Sequence, residues 1–294
     1  MKQNTALDFK DHKAGAASAT IHAVQQAIIL AGQLPDVQRE VEANFANNRW
    51  WPAEYEDPIL RMLLAGLSTR VSYSNINSYT EVTKAIHRIG SVRLGQMSEA
   101  EFCDLVRPIG LGDARWQLWC ALMELDKEVG GVASLKQLEN DDLIKFLQEK
   151  VKGVGYKVAQ AMVVCLKGYY CGVFIVDSGL KDIFASCIGI TPRRGPIGHE
   201  DVRVLFERAI SEMGVERVAG VAWSTEIQQA ILKGGIGASV WFAHLILIYF
   251  KRLYCNKAKA DVCPLATSAD ASLTCNRVCL KRRRLRTVGA DDHS

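Results

Sequence analysis

Two residues of this chain, Lys157 and Asp177, could carry out covalent chemistry. Lys157 lies in the first turn of a predicted helix, where the helix dipole and partial desolvation disfavour the ammonium form and make a nucleophilic amine accessible near neutral pH. The carboxylate of Asp177 could stabilise positive charge that develops on a substrate and accept a proton from the attacking amine. Each residue also has a simpler interpretation, because Lys157 could be a solvated lysine and Asp177 could cap a helix predicted over residues 178–184.

A second group of reactive residues is a set of cysteines near the end of the chain. Four of the nine cysteines are separated by only seven, eleven and three residues: Cys255, Cys263, Cys275 and Cys279. Four thiolates can complete a tetrahedral site for a metal ion or an iron–sulfur cluster. The pattern therefore permits a 4Fe-4S cluster, with zinc and unliganded thiols as the alternatives.

The element that must position Lys157 is predicted to be a pair of helices joined by a glycine turn. Apolar residues at helical spacing indicate one helix that opens with Asp141 and Asp142, and a second, mostly buried helix over residues 156–167. The turn between them consists of Gly153, Val154 and Gly155. Its glycines permit positive φ and the close approach of another backbone, and the amides that open the second helix can bind an anion. A nucleic-acid phosphate fits such a turn, although an ordinary helix connection has the same pattern.

The hairpin and the segment around Asp177 together resemble a known family. The sequences VKGVGYKVA and IVDSGLKDI are similar to the signature of the helix-hairpin-helix DNA glycosylase superfamily, in particular its endonuclease III branch, in which a hairpin LPGVGxKxA precedes an aspartate in a VDTH-like loop. Lys157 occupies the lysine position of that signature and Asp177 the aspartate position. The resemblance extends from about Asp57 to Cys279, which is about three quarters of the chain.

The resemblance implies a base-excision DNA glycosylase that also has AP (apurinic/apyrimidinic) lyase activity. In such an enzyme the amine of Lys157 would attack the sugar C1′ of a flipped damaged, mismatched or modified nucleotide, expel the base and leave a Schiff base, while Asp177 would stabilise the charge on the sugar. Double-stranded DNA is then the expected partner. A non-catalytic DNA-binding module is the alternative, because the chain departs from the family pattern near both residues.

Those departures lie next to the residues that would do the chemistry. Val151-Lys152 replaces Leu-Pro before the hairpin glycines, no proline precedes Val176, and Ser178-Gly179 replaces Thr-His after the aspartate. In the segment DPILRMLLAGLSTRVS, Leu67 takes the position of a family glutamine that fills the gap left by an extruded base. Leu67 could be an apolar plug in DNA or a core residue.

The resemblance also covers the approach to the cysteine group. The segment HLILIYFKRLYC is similar to the sequence that leads into the iron–sulfur loop of the endonuclease III branch, where the ligands are separated by six, two and five residues rather than by the intervals of this chain. A 4Fe-4S cluster is therefore the expected cofactor. Basic side chains around the loop would offer a platform for a DNA backbone: Lys251, Arg252, Lys257 and Lys259.

Helical periodicity dominates the chain, and no convincing strand pattern or internal repeat occurs in it. We therefore expect an all-α protein, and the resemblance implies a two-lobed helical architecture. The predicted parts are an N-terminal helical extension that packs with the C-terminal lobe (residues 1–56), a helical barrel with the hairpin (57–172), a C-terminal lobe that begins with the aspartate loop (173–254), a cysteine loop (255–279) and a basic tail (280–294).

The composition is that of a folded protein, since 49% of the 294 residues are apolar and 23% are charged. The net charge of +4 is small for a nucleic-acid binder, so a DNA-binding surface must come from local clustering. Arg193 and Arg194 are candidate phosphate contacts, although paired loop arginines are usually solvated. The longest apolar run, Val240–Phe250, is too short to span a bilayer, and no signal-peptide core occurs. We expect a monomer that does not bind membranes and is cytoplasmic and nucleoid-associated, or nuclear in a eukaryote.

Overall fold

The structure of the protein, a computed structural model, describes residues 14–47, 56–71, 73–222 and 224–267. Within these ranges every regular secondary-structure element is a helix, so the predicted all-α class is confirmed. Cys275, Cys279 and the basic tail predicted over residues 280–294 lie outside the described residues.

Thirteen α-helices make up most of the described chain. They are α1 (Ala14–Gly32), α2 (Pro35–Asn47), α3 (Pro58–Leu67), α4 (Ile76–Leu94), α5 (Glu99–Val106), α6 (Gly112–Glu128), α7 (Asn140–Lys150), α8 (Tyr156–Lys167), α9 (Ala185–Cys187), α10 (Ile197–Met213), α11 (Val215–Val221), α12 (Thr225–Phe250) and α13 (Pro264–Thr267). Two π-helical turns, Leu180–Phe184 and Lys251–Cys255, adjoin α9 and α12.

The helices α3 to α8 form one packed group around α3. This helix is almost entirely apolar, and its residues from Leu63 to Leu67 are all buried. Asp57 caps its start by accepting a hydrogen bond from the amide of Ile59 at 3.1 Å, and Pro58 occupies the first helical position, where no amide hydrogen is needed. α3 packs against α4, α6 and α8, while α5 packs on α6 and α7 on α8. The group therefore surrounds a single apolar helix.

The second group of helices contains the N-terminal helices together with the C-terminal ones. α1 packs against α10, α11, α12 and α13, and α2 packs against α12. The helical stretch Thr225–Cys255 is long and apolar enough to cross a membrane by length and composition, but 72% of its most apolar window is buried inside the fold. Burial of this much apolar surface makes α12 the central helix of the second group.

The predicted helical hairpin is present in the first group. α7 carries Asp141 and Asp142 in its first turn, and α8 covers the predicted residues 156–167. Between the two helices, Gly153 has a φ of 84°, in the left-handed region that favours glycine. Gly155, with a φ of −93°, precedes the first residue of α8. The turn therefore brings the chain directly into the first turn of the helix that carries Lys157.

Candidate active site

A cleft of about 680 Å³ is lined by residues from both groups of helices. The first group contributes the turn after α3 and the start of α8, and the second group contributes the last turns of α12. Lys157 and Asp177 both line this cleft. The two residues that the sequence singles out for chemistry thus share one cavity.

Lys157 reaches the cleft from the first turn of α8. Its Nζ donates a hydrogen bond to the Oγ of Ser68, in the turn after α3, at 3.0 Å. Desolvation lowers the pKa of Lys157; the carboxylate of Asp177 opposes this shift, and Arg252 and Lys251 add to it. A lower pKa increases the fraction of neutral amine at a given pH, and the neutral amine is the nucleophilic form.

Asp177 faces the cleft with both carboxylate oxygens engaged. Oδ1 accepts a hydrogen bond from the amide of Leu180 at 2.7 Å, and Oδ2 forms an ion pair with Nζ of Lys251. Desolvation raises the pKa of Asp177, but Lys251 and the Leu180 amide outweigh it, so the pKa lies below its ordinary value. Asp177 is therefore a carboxylate that caps the turn after it and also lines the cleft, so that the two interpretations of this residue are compatible.

The segment that leads to Asp177, residues 173–176, is buried and has no regular secondary structure, and side chains bind its backbone. The amide of Phe174 donates to Oε1 of Glu207 at 2.8 Å, and the amide of Val176 donates to Oε1 of Gln160 at 2.9 Å. The carbonyl of Val176 lies 2.7 Å from Nδ1 of His199. Buried backbone groups need such hydrogen-bond partners. Gln160 on α8 and the two partners on α10 therefore fix the position at which the chain reaches Asp177 in the cleft.

Arg203 anchors this arrangement from α10. Its guanidinium is almost fully buried, with 2% of the side chain exposed, and it contacts three carboxylates. The distances are 2.9 Å from Nε to Glu200, 2.7 Å from Nη1 to Glu207 and 2.7 Å from Nη2 to Asp141. Because Asp141 belongs to the first turn of α7, the network joins the helical hairpin to the helix that holds the Asp177 segment.

Lys251 is a residue of the site that sequence reasoning did not assign to the chemistry. It follows α12, only 4% of the residue is exposed, and it forms the ion pair with Asp177 described above. The sequence contains one signal for it, namely the glycine at position 179 in place of the family's histidine. A Cβ atom at Gly179 would lie 2.7 Å from Cδ of Lys251, so the lysine side chain occupies the space that a larger residue would fill.

His244 lines the cleft from the apolar face of α12. Its ring stacks on Trp241, with centroids 5.6 Å apart, and meets Phe174 edge-on at 5.1 Å. Burial lowers the pKa of His244 to about 3, which makes the imidazole neutral near pH 7. Nδ1 is buried and has no hydrogen-bond partner among the described residues.

The predicted DNA contacts differ in their exposure. Leu67 is fully buried and packs in the core, which agrees with the core interpretation and leaves no side-chain surface for a plug. At the hairpin, Gly153 and Gly155 are exposed and Val154 is 7% exposed. Arg193 and Arg194 are exposed, but Arg193 already binds Asp201 through two guanidinium nitrogens and its amide.

A strained leucine on a loop that is joined to the cleft wall was not singled out from the sequence. Leu111 has a φ of 58°, a left-handed conformation that costs a non-glycine residue about 1–2 kcal/mol, and its side chain is 43% exposed. The buried guanidinium of Arg115 fastens its loop by donating to the carbonyls of Ile109 at 3.0 Å and Thr69 at 3.2 Å. Because Thr69 lines the cleft, Leu111 lies on a loop tied directly to the cleft wall.

The cysteine group can be described only in part. Cys255 closes the π-helical turn after α12, and Cys263 directly precedes α13; both are buried. These two thiols fit the soft ligands of an iron–sulfur cluster or zinc. Elsewhere in the described residues, Glu99, Cys103 and Asp113 have ligand atoms within 4.8 Å of one another, but both carboxylates are exposed.

No family model, curated protein or solved structure matches this sequence.

Proposed function

We propose that the protein is a DNA glycosylase with AP lyase activity, of the helix-hairpin-helix type. The observation that supports this most directly is that Lys157 and Asp177 line the same cleft. Lys157, at the start of the second hairpin helix, is an amine of lowered pKa, and Asp177, from a separate segment, is a carboxylate of lowered pKa. The cavity is large enough for a nucleobase, and both groups that the proposed chemistry needs line it.

The nucleophile in this proposal is the neutral amine of Lys157. A nucleotide rotated out of the duplex would present its C1′ to Nζ, and the new C–N bond would form as the glycosidic C1′–N bond breaks. The base leaves with the electron pair of that bond and takes up a proton. Loss of a proton from the amine and opening of the sugar then give a Schiff base, from which elimination breaks the strand.

Asp177 supplies the opposite charge in the same step. Positive charge develops on the sugar as the base departs, and an ionised carboxylate beside C1′ stabilises it more in the transition state than in the ground state. The lowered pKa of Asp177 ensures that this carboxylate is ionised. Ser68 holds Nζ of Lys157 at 3.0 Å and so keeps the amine at the start of α8.

The hairpin and the cysteine group would bind the DNA backbone. The turn at Gly153 and Gly155 is exposed and has no neighbouring atoms within 4 Å of either Cβ position, so a phosphate can approach the amides that open α8. The cysteines, with Cys275 and Cys279 completing the set, would hold a 4Fe-4S cluster, or zinc in its place, that stabilises the surrounding fold. Double-stranded DNA is the proposed partner of a monomer in the nucleoid or the nucleus.

One observation favours the alternative, a DNA-binding module without catalysis. Both oxygens of Asp177 have partners within the protein, namely Leu180 and Lys251. A purely structural carboxylate would have the same contacts.

Trapping of the Schiff base with borohydride on duplexes that carry different lesions tests the proposal. Wild-type protein should become covalently linked to one or more of them, and Lys157→Ala should abolish the adduct. Asp177→Asn keeps the shape of the side chain and should cut base release by about 10²–10⁴-fold with duplex binding nearly intact.

Lys152→Ala is the matched control, since Lys152 is an exposed lysine of the same hairpin that lies outside the cleft. It should retain the adduct. Wild-type protein that binds duplexes but traps on none of them would favour the binding module.

A further inference from the structure

We propose that Lys251 is a positioning residue that holds Asp177 in its catalytic orientation, and that position 179 is glycine so that the Lys251 side chain can reach this carboxylate. The inference rests on the proposed function, in which Asp177 stabilises charge on the sugar. It adds a second lysine to the site, with a role distinct from that of Lys157.

The contacts of Asp177 divide between its two oxygens. Oδ1 receives the amide of Leu180 at 2.7 Å, and Oδ2 receives Nζ of Lys251. One donor would leave the carboxylate free to rotate about its side-chain bonds, whereas two donors on different oxygens fix it. The exposed fraction is 28% for the Asp177 side chain and 5% for Lys251, so the lysine holds the carboxylate from the protein side while the carboxylate faces the cleft.

Gly179 has no backbone reason to be glycine. Its φ is −71° and its ψ is −38°, values that any residue adopts. The space around it supplies the reason, because a Cβ atom would lie 2.7 Å from Cδ and 2.8 Å from Nζ of Lys251. Both contacts are too short for carbon, and a side chain at position 179 would displace the lysine from Asp177.

The backbone on both sides of the ion pair is also unusual. The π-helical turn Leu180–Phe184 begins three residues after Asp177, and the second π-helical turn begins at Lys251 itself. The two turns pack against each other. π-Helical turns are rare in proteins, and those that occur are often found at functional sites. Two of them meeting at one ion pair indicate that the Asp177–Lys251 contact is a built feature of the fold.

Lys157 and Lys251 have different hydrogen-bond partners, which separates their roles. Desolvation lowers the pKa of both lysines, but Nζ of Lys251 forms an ion pair with Asp177, which opposes the shift and favours the ammonium form. Nζ of Lys157 donates to the neutral hydroxyl of Ser68, which does not favour the ammonium form to the same extent. We therefore assign attack to Lys157, which donates to a hydroxyl, and orientation of the Asp177 carboxylate to Lys251, which is paired with it.

The Lys251→Met variant tests this role in three assays: single-turnover base release, borohydride trapping and duplex binding. Methionine keeps the length and apolar stem of lysine but removes the donor. We expect base release to fall by about 10²-fold, as for a misplaced catalytic group, with duplex affinity unchanged and with a trapped adduct still formed through Lys157. Lys251→Arg, which restores a cationic donor, should recover part of the rate. Lys145→Met, at an exposed lysine of α7, should have no effect.

Gly179→Ala provides a second route that leaves Lys251 in place and covers the case in which Lys251→Met does not fold. It should reproduce the rate defect, and the double variant should be no slower than the slower single variant, because both changes remove the same contact. An unchanged rate in Lys251→Met, or additive defects in the double variant, would overturn the positioning role. Loss of the adduct in Lys251→Met, with the adduct retained in Lys157→Ala, would make Lys251 the nucleophile and overturn it as well.

Different experimental outcomes refute the glycosylase and the positioning role. Wild-type protein that forms no adduct and releases no base from any duplex refutes the glycosylase, and the positioning role with it. An active wild type with an equally active Lys251→Met refutes only the positioning role.

Discussion

Two charged clusters hold the buried segment that leads to Asp177, and they are opposite in composition. At Phe174, the network around Arg203 has one buried cation and three carboxylates. At Asp177, one carboxylate faces Lys251, Lys157 and Arg252. Both central cations are buried, with 2% of Arg203 and 5% of Lys251 exposed. The first network has no member in the lining of the cleft, and we call it closed; the second is open, because Asp177, Lys157 and Arg252 line the cleft.

This difference separates structural from functional charge. In the closed network every carboxylate hydrogen bonds to the guanidinium, and the result is a fixed junction of α7, α10 and the segment that leads to Asp177. In the open cluster Lys157, Asp177 and Arg252 line the cleft, where a bound ligand can meet them. The placement of charge at the cleft is therefore more informative than the net charge of +4.

The largest predicted effect is the loss of the closed network. Arg203→Met removes the cation and leaves the mostly buried Glu200 and Glu207 uncompensated, which should lower the free energy of unfolding by about 3–5 kcal/mol. Urea denaturation measures the change. Arg208→Met is the matched control on the same helix, because its ion pair with Glu212 is exposed and should contribute about 1 kcal/mol or less. Equal effects of the two variants would contradict the distinction between the clusters.

The open cluster should respond to acid through His244. The pKa of this histidine is about 3 in the folded protein, against an ordinary value of 6.5. Between these values the unfolded chain binds a proton that the folded chain does not. The free energy of unfolding should therefore fall as the pH drops below 6.5, by up to about 1.4 kcal/mol per pH unit.

His244→Phe checks this assignment, because phenylalanine preserves the ring contacts with Phe174 and Trp241 but cannot bind a proton. Urea denaturation at pH 7 and pH 5.5 should give a smaller difference for the variant than for the wild type. The same pH dependence in both proteins would show that other groups cause it.

The helical class and the hairpin could be predicted from sequence because their signals are local. The acidic residues in the first turn of α7 favour the start of that helix, and the glycines before α8 favour the turn in which they lie. Lys251 could not be predicted in the same way, since its partner Asp177 lies 74 residues away in sequence. Leu67 shows the same limit, because an apolar residue at the end of a helix is compatible with the core and with an exposed surface until its neighbours are known.

The hairpin glycines should separate backbone strain from ligand contact. Gly153→Ala forces a φ of 84° on alanine and should lower the free energy of unfolding by about 1–2 kcal/mol. Gly155 has a φ of −93° and open space at its Cβ position, so Gly155→Ala should leave stability nearly unchanged. If a DNA backbone approaches the turn closely, Gly155→Ala should still weaken duplex binding. If Gly155→Ala binds duplexes as tightly as the wild type, the hairpin turn is not in close contact with DNA.

The smallest predicted effect concerns Leu111, whose exposed side chain has a strained backbone on the loop that Arg115 joins to the cleft residue Thr69. Observed strain of this kind often marks a functional position, and apolar side chains can enter between base steps when a nucleotide is displaced. Leu111→Ala keeps the backbone conformation and removes the side chain that would enter, so duplex affinity should fall by about tenfold, equivalent to about 1.4 kcal/mol. Val92→Ala is the control, because Val92 is an apolar residue that is 79% exposed on α4, outside the loop that Arg115 holds. Fluorescence anisotropy with a labelled duplex measures both variants. Equal affinities of the two variants would mean that the φ of Leu111 is required by the loop conformation and that DNA does not contact the Leu111 side chain.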